Sequence, residues 1–145
     1  MATHHIETLA LDLEGTLISN AVSQFPRPEL HEFLEFCHAR FPRIVIFTTV
    51  DDQTFRRVAA QLTSEGLTPP WFMELPHVRH SADYKDLRQI AGATVENTLL
   101  IDDMPQVVHP DQRAQFVPIA GFDGRDTAND RELRRVMAVL AARSP

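Results

Sequence analysis

The sequence predicts an α/β fold in which helices cover both faces of a central parallel sheet. Short apolar segments without polar alternation, typical of strands buried on both faces, alternate along the chain with segments of helical periodicity. Acidic or hydroxyl side chains directly follow several of these strands, at the edge where folds of this class bind ligands. The length of 145 residues and the apolar content of 43% suit one domain, residues 1–145, with a sizeable core.

The first half of the chain contains two predicted strand–helix pairs. Residues 6–12 and the β-branched residues 43–49 have the length and composition of buried strands. Residues 27–40 follow the first strand with apolar side chains at helical spacing, and Pro28 suits the first turn of that helix. Residues 51–66 repeat the helical spacing after the second strand. Consecutive pairs of this kind indicate parallel strands, because each helix returns the chain to the same edge of the sheet.

The second half continues the alternation with shorter elements. Residues 70–75 predict a weak third strand, and residues 81–92 predict a short helix. Residues 97–103 predict a strand that ends in acidic residues, and residues 114–120 predict a final short strand. Residues 130–143 have apolar side chains on one helical face and predict a terminal helix. The expected sheet therefore has about five strands.

Charge and composition narrow the classes of partner and location. The net charge of −6 argues against a basic surface for nucleic acid or anionic lipid, and no apolar run approaches the length of a membrane span. The N-terminal residues lack the pattern of a secretory signal peptide. Cys37 is the single cysteine, so a disulfide within the chain is impossible, which fits a reducing compartment. We therefore expect a cytoplasmic protein without a nucleic-acid or membrane partner.

Carboxylate side chains are placed at the ends of two predicted strands. Asp12 ends the first strand, and Asp102 and Asp103 end the fourth. Because the carboxyl ends of parallel strands meet at one edge of the sheet, we expect these side chains to lie close together. Gathered carboxylates repel each other unless a hard cation lies among them, and Mg²⁺ prefers oxygen ligands of this kind. A carboxylate can also act as a nucleophile and form an aspartyl-phosphate.

Three further residues could supply the other parts of such chemistry. Lys85 could add positive charge beside a phosphate, and Thr48 could add a hydroxyl donor. Glu14, two residues beyond Asp12, could protonate a leaving oxygen and then deprotonate a water. Each residue alone has an ordinary alternative, as a solvated loop residue, a turn residue or a helix cap. Their occurrence together, in this order and mostly at strand ends, favours a catalytic site.

The segments DLEGT (12–16), IVIFT (44–48) and LLIDD (99–103), together with Lys85, resemble the four motifs of the haloacid dehalogenase (HAD) superfamily. The surrounding sequence is similar to the branch that contains the C-terminal-domain phosphatases and the NLI-interacting-factor-like proteins. The small magnesium-dependent phosphatases are the second comparison. The resemblance covers residues 6–140 and implies a Rossmann-like, HAD-like three-layer sandwich with Mg²⁺-dependent phosphatase activity.

The resemblance implies a role for each matching residue. Asp12 would be the nucleophile and a Mg²⁺ ligand. Glu14 lies at the general acid/base position, and its backbone carbonyl would also bind the metal. Thr48 would bind the transferring phosphoryl group, and Lys85 would neutralise it. Asp103 would be a metal ligand.

Other matching residues would support these roles. Asp102 would hold Lys85 in place and is a further candidate metal ligand. Thr16 would orient the nucleophile loop, and Gly15 would allow its tight turn. The candidate substrate-binding residues are Gly15, Thr16, Thr48, Thr49 and Lys85.

The segments in which HAD proteins often carry a cap domain are short in this chain. Neither the stretch between Gly15 and Pro28 nor the stretch between Thr48 and Lys85 could hold a cap. Residues 19–26 are the only local element that could flank the entrance. The expected site is therefore open, which suits a phosphorylated protein segment or a small-molecule phosphate.

Glu14 is the main departure from the family pattern, which has aspartate at this position. One more methylene moves the carboxyl group, and a misplacement of about 1 Å can cost about 100-fold in rate. One outcome is an active phosphatase whose loop has adjusted. The alternative is a phosphate- or phosphopeptide-binding or regulatory module with low or no activity. A third hypothesis is a sugar- or nucleotide-phosphate enzyme in which Glu14 tunes specificity.

Overall fold

The computed structural model describes residues 5–144 and has a five-stranded sheet at its centre. All strand pairs are parallel, and the strand order is β3-β2-β1-β4-β5. The strands are β1 (Thr8–Leu11), β2 (Arg43–Thr48), β3 (His77–Arg79), β4 (Thr98–Asp102) and β5 (Phe116–Pro118). The chain starts in the middle of the sheet, runs to one edge and then crosses to the other side of β1. The strand order therefore reverses between β1 and β4, where sheets of this kind bind ligands.

Three α-helices pack on the face of the sheet that carries the odd-numbered side chains of β1. They are α1 (Leu30–Arg40), α2 (Asp52–Ser64) and α3 (Glu132–Arg143). Leu9 and Leu11 belong to the larger hydrophobic core, together with the buried faces of all three helices. Ala10 points to the opposite face, where a smaller core is closed by short 3-10 turns and loops. The predicted α/β class with a covered parallel sheet is confirmed, although the second covering layer contains no long helix among the described residues.

The predicted third strand over residues 70–75 is wrong. Pro70–Glu74 forms a 3-10 helix, and the third strand is His77–Arg79, which pairs with β2. Pro70 at the first helical position has a fixed φ and no N–H for a strand ladder. The turn also directs Phe72 into the core, edge-on to Phe55 at 5.5 Å between ring centroids.

The predicted helix over residues 81–92 is also wrong, apart from the 3-10 turn Leu87–Gln89. Residues 82–84 form bends, and Lys85 forms a parallel bridge with Val108, with its N–H donating to the Val107 carbonyl at 2.7 Å. The Leu87 N–H donates to the Gln112 side chain at 2.9 Å. Long-range pairing with residues 107–112 thus replaces the local helical bonds that the sequence pattern suggested.

The segment between β1 and α1 folds into a compact loop. The Ser19 N–H donates to the Phe25 carbonyl at 2.9 Å, and Ile18 forms an antiparallel bridge with Pro26. No separate cap domain is formed by residues 5–144, as predicted. Within the same residues, every helix is too short or too polar to cross a membrane.

Candidate active site

Three aspartates meet at the carboxyl ends of the two central strands. Asp12 follows β1 and donates its N–H to the Ile101 carbonyl at 3.0 Å. Asp102 is the last residue of β4, and Asp103 follows it. Asp12 and Asp102 are buried, and Asp103 is half-buried. The sheet therefore brings together Asp12 and Asp102, which are 90 positions apart in the sequence.

Lys85 is shared between two of these carboxylates. Its Nζ donates to Asp12 Oδ1 at 2.8 Å and to Asp102 Oδ2 at 2.6 Å. Only 3% of the lysine side chain is exposed, so water screens neither ion pair strongly. The contact with Asp102 is the one that the sequence predicted. One ammonium group opposes three carboxylates here, and the cluster keeps a negative formal charge.

Burial sets the protonation chemistry of the cluster. It raises the pKa of Asp12 from 3.8 to about 7, against the opposing effect of the Lys85 ammonium. Burial likewise raises the pKa of Asp102. Desolvation lowers the pKa of Lys85, but the two carboxylates outweigh it, and the net shift is upward. A cation beside these carboxylates would favour their charged forms.

The donor set fits a hard divalent cation. One carboxylate oxygen each from Asp12, Asp102 and Asp103 can be chosen so that all lie within 4.8 Å of one another. Oxygen ligands in such a group suit Mg²⁺. Both oxygens of Asp102 already accept hydrogen bonds, from Lys85 and from the Met104 N–H. Both oxygens of Asp12 accept hydrogen bonds as well, from Lys85 and Thr16, so the Asp103 carboxylate is the least engaged of the three.

Because Gly15 has no side chain, the Asp103 carboxylate can lie against its backbone. The Gly15 φ of +80° is a left-handed conformation, and a Cβ at this position would collide with the Asp103 carboxylate. The Thr16 hydroxyl donates to Asp12 Oδ2 at 2.8 Å and contacts Asp103 Oδ1 at 3.4 Å. The turn after Asp12 thus touches both acidic side chains, and the predicted roles of Gly15 and Thr16 stay predictions.

Glu14 lies in the same turn, but its carboxylate is directed to the neighbouring loop. Its Oε2 accepts a hydrogen bond from the Ala21 N–H at 2.7 Å. The side chain is half-buried and is not part of the group formed by the three aspartates. The sequence had no signal for this contact, because it joins the turn to an irregular loop. The predicted acid/base role of Glu14 stays a prediction.

The two threonines at the end of β2 differ in their surroundings. Thr48 is buried, and its hydroxyl accepts a hydrogen bond from the Val50 N–H at 3.1 Å. Thr49 is exposed, and its carbonyl accepts a hydrogen bond from Arg79 at 3.3 Å. Their predicted contacts with a phosphoryl group stay predictions.

Arg27 is a residue of this region that the sequence analysis missed. Its buried guanidinium donates to the backbone carbonyls of Gly15 and Thr16 and forms an ion pair with Asp130. An arginine before a proline in a loop gives no sequence signal of burial. The contact depends on α3, which starts more than a hundred residues later in the chain.

The fold and the acidic site define a class of α/β proteins with a carboxylate cluster at the sheet edge. Residues 7–144 match the family model of the NLI interacting factor-like phosphatases. The chain therefore belongs to this family, and the predicted HAD-superfamily relationship is confirmed.

A protein from Legionella pneumophila, described as a HAD superfamily (subfamily III A) hydrolase, is similar with 18% sequence identity and a TM-score of 0.45. The alignment covers 96% of this chain and 85% of that protein. No curated protein matches the chain significantly.

Gly15→Ala tests whether the space beside Asp103 is needed. We expect the variant to fold but to bind Mg²⁺ at least about tenfold more weakly, because the new Cβ displaces the Asp103 carboxylate. Gly66→Ala is the matched control, since Gly66 has a φ of +74° and open space around its Cβ position. Both variants carry backbone strain of roughly 1–2 kcal/mol, but only the first changes the site. Equal Mg²⁺ affinities in calorimetric titrations of the two variants would contradict this account.

Asp12→Asn tests the raised pKa of Asp12. In the metal-free folded protein Asp12 holds its proton up to about pH 7, whereas the unfolded chain releases it near 3.8. The folded state binds more protons between these values, so the free energy of unfolding falls as the pH rises through this range. We expect urea denaturation in EDTA to show that the free energy of unfolding falls less with rising pH in Asp12→Asn than in the wild type. The exposed substitution Asp111→Asn should keep the wild-type profile, and an identical profile for Asp12→Asn would refute the assignment.

Proposed function

We propose that the chain is a Mg²⁺-dependent phosphatase that hydrolyses a phosphomonoester through an aspartyl-phosphate on Asp12. The observation that carries the proposal is the Lys85 ammonium between Asp12 and Asp102, with the Asp103 carboxylate beside them. A buried carboxylate next to a buried ammonium and a metal-compatible acidic group is the arrangement that attack on a dianionic phosphate requires. Membership in the NLI interacting factor-like phosphatase family supports a phosphatase in general.

The proposed reaction has two balanced steps. In the first, an Asp12 carboxylate oxygen forms a bond to phosphorus while the bond to the leaving oxygen breaks. The leaving oxygen keeps the electron pair and takes a proton from Glu14. In the second, the Glu14 carboxylate accepts a proton from water as the water oxygen attacks phosphorus. The bond between Asp12 and phosphorus then breaks and releases inorganic phosphate.

Positive charge is needed on both sides of the transferring group. When bound, Mg²⁺ supplies Lewis-acid polarisation of a phosphoryl oxygen and offsets the repulsion between phosphate and carboxylate. Asp12 and Asp103 would hold it, with the Glu14 backbone carbonyl as the further ligand that the resemblance implies. Lys85 would supply the second positive charge, because its Nζ bonds Asp12 and could also donate to the incoming phosphate.

The hydrogen bond of the Glu14 carboxylate is compatible with two functions, an active phosphatase and a binding module. The bond to the Ala21 N–H holds the carboxylate against the loop, so a rotation is needed before it can reach a leaving group. In the alternative, the Glu14 carboxylate never leaves the Ala21 N–H. The chain is then a catalytically weak or inactive module that binds phosphate or a phosphopeptide. We favour the active enzyme because Lys85 bonds Asp12, and oxygens of Asp12 and Asp103 lie within 4.8 Å of each other.

The surroundings of the site favour a phosphorylated protein segment over a small molecule. Large apolar side chains are exposed in segments that adjoin the site residues in sequence or contact: Val22, Phe25, Tyr84 and Met104. Tyr84 precedes Lys85, and Met104 follows Asp103. An extended substrate could cover such side chains, whereas a small phosphate ester could cover few of them. The cytoplasmic location stays a prediction.

A chromogenic phosphate ester tests the reaction. We expect hydrolysis in Mg²⁺, loss of activity in EDTA, and a fall of at least about 1,000-fold in Asp12→Asn, because the nucleophile is gone. The exposed substitution Asp111→Asn is the control and should keep wild-type activity. Activity that persists in EDTA or in Asp12→Asn would refute the proposed mechanism.

Glu14→Asp separates the enzyme from the binding module. The shorter side chain loses its reach to both Ala21 and the leaving group, and we expect the rate to fall by about 100-fold. Glu14→Gln is the matched variant, since it keeps the length of the side chain but cannot exchange a proton. It should lose about 100-fold or more in rate. An inactive wild type that gains turnover in Glu14→Asp would instead support the binding module.

A further inference from the structure

Arg27 is buried beneath the turn that carries the proposed nucleophile. Only 1% of its side chain is exposed. A buried guanidinium is tolerated when it is paired and its donors are satisfied. Its Nε donates to both carboxylate oxygens of Asp130, at 3.2 Å and 3.1 Å. The Asp130 side chain is itself largely buried, with 11% exposed, so the pair is held in a low-dielectric environment.

The other end of the guanidinium is directed at the backbone after Asp12. Its Nη1 donates to the Gly15 carbonyl at 3.3 Å and to the Thr16 carbonyl at 3.2 Å. The Gly15 carbonyl also accepts a hydrogen bond from the Phe122 N–H at 2.9 Å. The Phe122 ring lies 5.5 Å from the guanidinium carbon. Arg27 therefore joins the turn to a distant loop as well as to Asp130.

Asp130 links this contact to the third helix. Its Oδ1 also accepts a hydrogen bond from the Glu132 N–H at 3.1 Å, at the start of α3. The ion pair is thus anchored on a helix that packs into the main core. A guanidinium held at this anchor has little freedom, so it can fix the direction of the carbonyls that it binds.

The two carbonyls belong to the residues that contact the acidic cluster. The Thr16 hydroxyl bonds Asp12, and the Gly15 Cα faces the Asp103 carboxylate. A rotation of either peptide would move these contacts and also the neighbouring Glu14 carbonyl. The position of the whole turn relative to Asp103 therefore depends on the guanidinium.

We propose that Arg27, held by Asp130, is a positioning residue that sets the turn after Asp12 at the distance from Asp103 needed to bind Mg²⁺. This inference rests on the proposed function, since it assumes that Asp12 and Asp103 share the metal. Arg27 touches neither substrate nor metal and acts through the carbonyls of Gly15 and Thr16. A merely structural ion pair would affect folding stability and leave the metal affinity unchanged.

Calorimetric Mg²⁺ titrations of Arg27→Lys test the proposal. Lysine keeps the charge but cannot bond Asp130 and both carbonyls with one planar group. We expect Mg²⁺ affinity to fall about 10–100-fold, the usual range for the loss of a group that orients metal ligands. In the ester assay, the Mg²⁺ concentration that gives half-maximal activity should rise by the same factor, while KM for the ester changes little. Asp130→Asn is the second variant, because it keeps the guanidinium but removes the negative charge that holds it.

Leu140→Ala is the control for stability. Leu140 is fully buried on α3 within the main core, and its truncation should cost about 2–5 kcal/mol without touching the turn. We expect this variant to keep wild-type Mg²⁺ affinity below its unfolding temperature. The proposal is overturned if Arg27→Lys and Asp130→Asn both bind Mg²⁺ like the wild type, or if Leu140→Ala weakens binding as much as they do.

The same titrations separate this proposal from the proposed function. A wild type that binds Mg²⁺ but hydrolyses no ester refutes the phosphatase, and the affinities of the Arg27 and Asp130 variants still decide the positioning role. A wild type that does not bind Mg²⁺ overturns the positioning role as well.

Discussion

The Lys85 ammonium, shared between Asp12 and Asp102, is the interaction on which the rest of the site depends. Two buried carboxylates at adjacent strand ends would repel each other, and burial alone raises the pKa of both. The lysine compensates part of this cost, and the remaining negative charge favours a cation near Asp103. The backbone of Lys85 is held by its bridge to Val108. A bridge to a residue distant in sequence, and not the predicted helix, therefore positions the lysine backbone.

The acidic cluster could be predicted from sequence because it follows from topology. Once β1 and β4 are buried parallel strands, the residues after them must meet at one edge, and Asp12 and Asp102 occupy those positions. The amphipathic helices were predicted for a similar reason, since their pattern depends on local spacing. The errors at residues 70–75 and 81–92 arose where contacts distant in sequence replaced local hydrogen bonds. The contacts of Glu14 and Arg27 escaped prediction because each joins a turn to an irregular segment.

The turn after Asp12 is held from two directions. On one side, the Glu14 carboxylate bonds the Ala21 N–H in the loop that follows the turn. From beneath, Arg27 binds the carbonyls of Gly15 and Thr16. The backbone of the turn is thus constrained, whereas the Glu14 side chain can move by breaking one hydrogen bond. In the proposed mechanism, this division would keep the metal ligands fixed while Glu14 moves to the leaving group.

A crystal structure with Mg²⁺ and beryllium trifluoride is the sharpest test of Asp12 as the nucleophile, because this group imitates a phosphoryl group bound to a carboxylate. We expect beryllium bonded to an Asp12 carboxylate oxygen and Mg²⁺ bound by Asp12 and Asp103. We also expect that the Lys85 ammonium donates to a fluoride and that the Glu14 carboxylate has left Ala21 to face the open side of the adduct. Beryllium absent from Asp12, or Mg²⁺ bound away from Asp103, would contradict the account.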